Sequence, residues 1–390
     1  MVDLGPSHAA LSRSPAGLPG RLRGPIRSLD PVLIVTALLL TGFGLMMVYS
    51  STWRTLTLLG NEPFSTTARQ MFAMALGIGL AAASLVFDYR MAKVYAPLVY
   101  AGLLVLLVAV VSPLGSDTAG AQRGFEVGIQ ITPSEYMKIG LILMLAAFLS
   151  EVKATELRLE HVVRAAGIAA LPVALVFLQP DLGTSIVLGA AILVGMLVVA
   201  GARARHLGML ALTGLVLLFG ALQMNVIKDY QLQRIEVFLN RSDASEAARW
   251  NLDQSEITIG SGGLTGVGYL RGPQTNLDFV PEQHSDFIFT AVGEEFGFVG
   301  GVVLLSLFGM LLWRGFRIAT SAKDRFGTYV AAGIISMWAL QIFVNIGMTL
   351  GIMPITGIPL PFLSYGGSSL VTNFVAVGLL LNIHMRRFSV

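Results

Sequence analysis

Long apolar runs, separated by short polar segments, recur along the chain from Val32 to the C-terminus. An apolar run of about 17 to 25 residues can cross a bilayer as an α-helix. We therefore predict an all-α, polytopic integral membrane protein with about ten transmembrane helices. Their predicted cores are Val32–Ser50, Met71–Val86, Val94–Val111, Pro133–Leu149, Ala165–Leu178, Ser185–Ala200, Leu207–Val226, Phe287–Leu312, Tyr329–Leu350 and Leu370–Ile383.

The connections on one side of the predicted membrane hold about twice as many Lys and Arg residues as those on the other side. Because cytoplasmic loops retain cations, the richer side is predicted to be cytoplasmic, and an even number of helices then places both termini there. Residues 1–29, rich in Ser, Pro, Gly and Arg, are predicted to be a flexible cytoplasmic tail. The membrane domain is 30–390, with a large outer loop, 227–285, between helices seven and eight.

The composition excludes several classes of protein. Apolar residues make up 54% and charged residues 13% of the chain, so a soluble fold could not bury its apolar surface. The net charge of +3 follows from the topogenic cations and does not indicate a nucleic-acid partner. The absence of cysteine excludes disulfides, thiolate catalysis and cysteine-ligated metals.

Glu135 and Lys138 lie three residues apart in the fourth predicted helix, and therefore on one face of it. One interpretation of Glu135 is a capping box with Thr132, in which the two side chains cap the helix start. A buried ammonium needs a partner, however, and Glu135 is the nearest acid to Lys138. We therefore favour an ion pair that faces a hydrated cavity.

Other charged residues fall in the same outer layer. Asp181, between the fifth and sixth helices, fits either a helix cap or a site residue. Arg69 and Arg123 precede the second and fourth helices, where each could also be a snorkelling anchor.

The outer loop contains a glycine-rich segment, residues 259–268. Such a segment allows a ligand to approach the backbone closely, and its amides can form an anion-binding nest. It lacks the strand and the Gly-Lys-Ser/Thr of nucleotide-binding loops. A ligand-facing loop is the interpretation we take forward.

Ionisable residues are concentrated immediately before the eighth helix. Ser285 as N-cap, with Asp286 stabilised by the helix N-terminus, could explain one of these acids. The whole set is better explained by a site at the outer membrane surface, because charge at membrane depth is costly. Its members are Glu282, His284, Asp286, Glu294 and Glu295.

A membrane-embedded outer site with acids, cations and a glycine-rich loop suits an anionic lipid-linked substrate. A transporter is the alternative, because membrane carboxylates also relay protons. The irregular Pro- and Gly-rich stretch 354–369 is predicted to form another wall of the cavity, since such backbone must be shielded from lipid.

Four motifs, within a match from about Asp30 to Arg387, resemble the SEDS family, also called the FtsW/RodA/SpoVE family. The sequence details are closer to the elongation (RodA) branch than to the division branch. The motifs are Gln179–Ser185, Ile259–Leu264, Pro281–Phe289 and Pro359–Ser369.

The resemblance implies a peptidoglycan glycosyltransferase that polymerises lipid II, an undecaprenyl diphosphate-linked disaccharide peptide. It would act on the outer face of the bacterial cytoplasmic (inner) membrane, in cell elongation and rod shape. The implied partners are a class B penicillin-binding protein acting as transpeptidase and other membrane proteins of the elongation complex. The alternatives are a lipid II flippase and a non-catalytic scaffold.

The resemblance also implies roles for individual residues. Asp286 matches the essential acid and is expected to deprotonate the acceptor hydroxyl. Alternatively, Asp286 and Glu282 hold a divalent cation such as magnesium; no other cofactor is expected. The residues expected to bind substrate are Lys138, Glu135, Arg69, Arg123, Asp181, Glu282 and His284.

Overall fold

The computed structural model describes residues 29–112, 116–118, 121–126, 130–152, 157–224, 229–241 and 245–388. Ten described helical spans are long and apolar enough to cross a membrane, so the predicted all-α, ten-helix architecture is confirmed. The predicted tail lies almost wholly outside the described residues. The spans are α1 (Pro31–Leu58), α2 (Ser65–Val86), α3 (Tyr89–Val111), α4 (Pro133–Glu151), α5 (Leu159–Leu178), α6 (Leu182–Ile186) continued by a π-helical turn (Val187–Leu193) and α7 (Val194–Val199), α8 (Ala204–Gln223), α12 (Ile288–Ser321), α13 (Arg325–Thr349) and α14 (Gly367–Met385).

The helices differ greatly in burial. In the most apolar stretch of each span, 89% of residues are buried in α14, 78% in α4 and 72% in α13, against 6% in α8. The helices α14, α4 and α13 therefore form the centre of the bundle. The eighth α-helix along the chain, α8, lies at its periphery and has a lipid-facing composition along most of its length.

The outer segments are more structured than a plain loop. The predicted outer loop contains α9 (Asp229–Leu239), α10 (Glu246–Ser261) and α11 (Pro273–Asn276). A short antiparallel sheet, which we did not predict, precedes α4 and consists of β1 (Ser116–Thr118), β2 (Ala121–Glu126) and β3 (Gln130–Ile131). Arg241 fastens the loop internally through bonds to Glu256 (2.8 Å) and Asp253 (3.0 Å).

α12 is broken within the membrane at Gly297, whose φ of 62° is left-handed. The break leaves backbone groups of the helix without their intrahelical partners, which lipid cannot replace. The glycine-rich segment 259–268 supplies new ones. Four hydrogen bonds join the two segments: Phe298 N to Gly263 O (2.9 Å), Val299 N to Leu264 O (3.1 Å), Val267 N to Glu294 O (3.0 Å) and Gly268 N to Glu295 O (3.0 Å).

The predicted anion nest is therefore wrong, because amides of this segment are used to complete α12. Its glycines are needed for close backbone contact within the protein. A Cβ on Gly262 would collide with the carbonyl of Gly293, and one on Gly266 would collide with the carbonyl of Glu295.

Replacing Gly297 with alanine is expected to destabilise the protein strongly. The backbone at Gly297, with φ 62° and ψ −159°, lies in a region essentially restricted to glycine, and this alone costs about 1–3 kcal/mol for a residue with a side chain. The new Cβ would also collide with the nitrogen of Gly266. Gly309→Ala in the same helix is the control, because nothing lies within 4 Å of its added Cβ. Thermal unfolding in detergent should show a lowered Tm only for Gly297→Ala; equal Tm values would contradict this account of the break.

Candidate functional site on the outer face

The turn before α12 is fastened to the irregular segment before α14 by Asn345 of α13. The Asn345 side chain is fully buried, and its Nδ2 donates to the carbonyls of Asp286 (2.8 Å) and Ile358 (2.7 Å). One amide thus holds two loops at a fixed separation. We did not single out Asn345 from the sequence, where no local pattern distinguishes it.

Asp286 lies in this turn, partly exposed, two residues before α12 begins. Its Oδ2 is 3.2 Å, and Nη1 of Arg234 is 3.8 Å, from the position that a Cβ on Gly357 would occupy. A carboxylate and a guanidinium from separate segments therefore face one point. Glycine at 357, with φ of 70°, keeps that point open. Arg234 is a candidate site residue that our sequence-based assignment omitted.

The helix-cap interpretation of this turn is wrong. The N-cap of α12 is Phe287, without a side-chain capping bond, and not Ser285. The Ser285 hydroxyl is instead 3.1 Å from Oε2 of Glu282, which is exposed. The amide of Asp286 donates to the carbonyl of Glu282 at 3.0 Å.

The segment 364–368 contacts the turn that carries Asp286 and two helices. Tyr365 N donates to the carbonyl of His284 (2.9 Å), and the two rings lie 5.4 Å apart. Gln70 of α2 binds both sides of Tyr365, accepting from Gly366 N and donating to Ser364 O, each at 3.1 Å.

Glu135 and Lys138 form the predicted ion pair at the start of α4. Lys138 Nζ lies 2.6 Å from Glu135 Oε1, and the two residues are only 1% and 8% exposed. The capping box is wrong, since Thr132 makes no side-chain cap. Its amide instead donates to Oγ of Ser368 at 3.0 Å, which joins this pair's helix to the segment 364–368.

Asp181 is a helix cap and also lies beside the site. Its carboxylate accepts from Thr184 N at 3.0 Å at the start of α6. A Cβ on Gly183 would be 2.8 Å from the carbonyl of Thr356, so this connection packs against the backbone next to Gly357. Asp181 therefore positions backbone near Asp286.

The two predicted arginines are less informative. Arg69 is exposed at the start of α2 and makes no hydrogen bond or ion pair with any described residue. Arg123 lies in β2, and its side chain falls outside the described part of the chain.

Glu294 and Glu295 are structural residues. Glu294 accepts from Gln274 N (2.8 Å) and Thr275 N (2.9 Å), and so caps α11. Glu295 accepts from Ser50 Oγ and from Leu270 N. Both buried carboxylates hold the outer loop against the membrane helices.

The described residues include no group of three or more His, Cys, Asp or Glu side chains that could hold a metal ion. Asp286 and Glu282 alone would leave most ligands of a magnesium ion to water and substrate.

Comparison with known proteins shows to which family the chain belongs. A family model for FtsW, RodA and SpoVE, described as a cell cycle protein, matches residues 30–388. The chain belongs to this family. It is 39% identical to stage V sporulation protein E of Bacillus subtilis, over 91% of this chain and 96% of that one. It is 35% identical to peptidoglycan glycosyltransferase MrdB of Escherichia coli K12, over 92% and 94%.

Solved structures agree with the fold. One, titled as the structural coordination of polymerization and crosslinking by a peptidoglycan synthase complex, matches at 30% identity with a TM-score of 0.77, over 93% of this chain and 99% of that one. RodA of Thermus thermophilus matches at 28% identity with a TM-score of 0.67, over 95% and 100%. Relatives named stage V sporulation protein E, FtsW and RodA have similar identities of 39%, 37% and 34%, so the elongation branch stays a prediction.

In this SEDS protein, His284 is a neutral member of the site. Burial lowers the pKa of His284, and the carboxylates of Glu282 and Asp278 oppose this only in part. Burial raises the pKa of Asp278, and a protonated His284 ring would oppose that shift. His284 therefore acts as an uncharged ring against Tyr365.

A lowered pKa for His284 predicts a loss of stability on acidification. Between the lowered value and the ordinary value of about 6.5, the unfolded chain binds more protons than the folded chain, so stability falls as pH falls. Unfolding temperatures measured from pH 7.5 to 5 should drop more steeply for the native protein than for His284→Gln. Parallel curves would contradict a buried, neutral His284.

Proposed function

We propose that this chain polymerises lipid II into glycan strands on the outer face of the cytoplasmic membrane. That it is a peptidoglycan glycosyltransferase follows from its family and from relatives of this name, which it matches over most of their length. The observation that supports the site is the approach of Asp286 and Arg234 to one open point beside Gly357.

Asp286 is the proposed general base. It takes the proton from the 4-hydroxyl of the acceptor N-acetylglucosamine as that oxygen attacks the anomeric carbon of the donor N-acetylmuramic acid. The bond from this carbon to the diphosphate breaks, and the electron pair leaves on the diphosphate. Because that leaving group is already a stable anion, no general acid is required. Attack from the opposite side converts the α linkage of the donor to β.

Cations of the outer layer are proposed to hold the diphosphate. Lys138, oriented by Glu135, and the arginines at 69 and 123 can supply charge-assisted hydrogen bonds. Arg234 joins them, because it faces the same point as Asp286. Asp181, Glu282 and His284 are proposed to shape the substrate path.

The distribution of charge also supports the placement of Asp286 on the outer face of the membrane. Both termini are proposed to be cytoplasmic, since cations are enriched in the connections opposite Asp286. The proposed partners are a class B penicillin-binding protein, as transpeptidase, and other proteins of the elongation complex. The solved synthase complex supports a partner of this kind. Residues 30–390 are proposed to act as one domain.

A lipid II flippase is the second candidate. It requires charged groups that continue across the membrane, yet the middle of each of the ten described spans contains no Asp, Glu, Lys or Arg. The acids and cations described above lie near the ends of the helices. This distribution favours chemistry at one face.

Asp286→Asn is expected to abolish polymerisation of labelled lipid II by the purified protein with its cognate penicillin-binding protein. The amide keeps the shape of the side chain but cannot accept the proton, which should lower the rate about 100-fold or more. Asp278→Asn is the matched control, because it changes the charge on the same loop, at a φ of 56° that asparagine tolerates. Polymerisation by both variants is measured from the glycan product on gels.

Equal activity of the two variants would make Asp286 structural. If the native protein formed no polymer but moved lipid II across liposome membranes, the flippase would replace the polymerase. A scaffold is indicated if Asp286→Asn supports full synthesis by the complex.

The pair of Glu135 and Lys138 can be separated into structural and functional parts. Glu135→Gln leaves a buried ammonium without its partner, which costs about 3–5 kcal/mol in buried pairs. Adding Lys138→Met should restore the unfolding temperature without restoring polymerisation, because the cation proposed to bind diphosphate is then missing. Recovery of both stability and activity in the double variant would show that the pair is only structural.

A further inference from the structure

A cavity lined by basic and apolar side chains lies at the face opposite Asp286. α4 begins next to Ser368 at the outer site and ends at Glu151, so α5 begins at the far face. The same reasoning places the connection from α7 to α8 there, and the two connections touch, since Leu157 N donates to Gly201 O at 3.4 Å. A cavity of about 440 Å³ opens between them.

The walls of this cavity are strongly basic. Arg158, Arg203, Arg205 and His206 line it, together with apolar side chains that include Leu159 and Met209. Arg158 and Arg203 are the N-caps of α5 and α8, so two 20-residue helices direct their positive ends to this place. The acid in the first turn of α5, Glu160, is exposed and lies 3.7 Å from His161.

His206 provides an independent indication of a ligand. It is only 4% exposed, and its Nε2 lies 3.3 Å from Nε of Arg205, a nitrogen that can only donate. The hydrogen of a neutral ring is therefore on Nδ1. This Nδ1 is buried without a hydrogen-bond partner among the described residues. A buried donor without an acceptor is costly, and an anionic oxygen would satisfy it.

The position of α8 indicates what kind of anion fits. His206 is the only buried residue of α8, and further along the helix Leu212 and Leu215 are each 62% exposed. The basic cavity thus continues into an apolar surface that faces lipid. Basic pockets between transmembrane helices at the cytoplasmic boundary are suited to lipid headgroups.

We propose that the cavity binds the phosphate of an anionic phospholipid, whose acyl chains lie along α8. Arg158, Arg203 and Arg205 neutralise the phosphate, and Nδ1 of His206 donates to one of its oxygens. The bound lipid holds the peripheral α8 against α5. This role is independent of the chemistry proposed for Asp286.

Binding of phosphatidylglycerol to the purified full chain in detergent tests the proposal, with native mass spectrometry as the measurement. The native protein should bind phosphatidylglycerol about tenfold more tightly than phosphatidylcholine. Arg158→Gln with Arg205→Gln should remove most of that preference. The control, Arg317→Gln with Lys323→Gln, removes the same charge at the same face away from the cavity and should retain it.

Equal weakening in the two double variants would overturn the site in favour of diffuse surface attraction. Displacement of the lipid by an equal concentration of glycerol 3-phosphate would overturn the lipid as ligand and indicate a free phosphate. His206→Phe, which keeps every cation, is the second variant; it should weaken binding a few-fold, and unchanged affinity would contradict the role of Nδ1.

The chain contains no cysteine, so spin labels can be placed at single introduced sites. Labels at Leu171→Cys in α5 and Leu215→Cys in α8 lie on exposed side chains. The distribution of distances between them should become narrower when phosphatidylglycerol is added to the native background. A distribution that lipid leaves unchanged would contradict the proposed fastening of α8.

Discussion

The hydrocarbon of a bilayer offers no hydrogen-bond partners, and this constraint accounts for most of the outer half of the protein. A reactive site there needs irregular backbone, which must be completed by protein groups. The break in α12 at Gly297 is completed by the glycine-rich segment 259–268. Asn345 and Gln70 complete the segment before α14 in the same way, because their side-chain amides hydrogen-bond to its backbone groups and hold it in position.

Buried charges serve the same purpose. Glu294 and Glu295 in α12 accept bonds from the outer loop and join it to the membrane bundle. Lys138 is held by Glu135 near the start of α4, one of the three most buried spans. Since each of these groups is costly to bury alone, their geometry is strongly determined, and the loops that they hold share that rigidity.

The sequence predicts the parts of this structure that depend on local composition. Ten apolar runs are sufficient for ten spans, and a lysine in an apolar helix requires an acid such as Glu135 nearby. Glycine density is ambiguous, because it permits approach by a ligand or by another backbone equally well; here α12 occupies the position that we assigned to an anion. Asn345 and Arg234 were missed because their partners are distant in sequence. The helices of the outer loop were missed because they lack a long apolar run.

The turn that carries Asp286 shows what is gained when this acid is not the N-cap of α12. A capping carboxylate is committed to backbone amides, whereas α12 begins after Phe287 without a side-chain cap. The backbone of Asp286 is held instead, through its amide by Glu282 and through its carbonyl by Asn345. Fixing the main chain in this manner positions the carboxylate within a small volume without using its oxygens for helix capping, which is what a base acting on a bound hydroxyl requires.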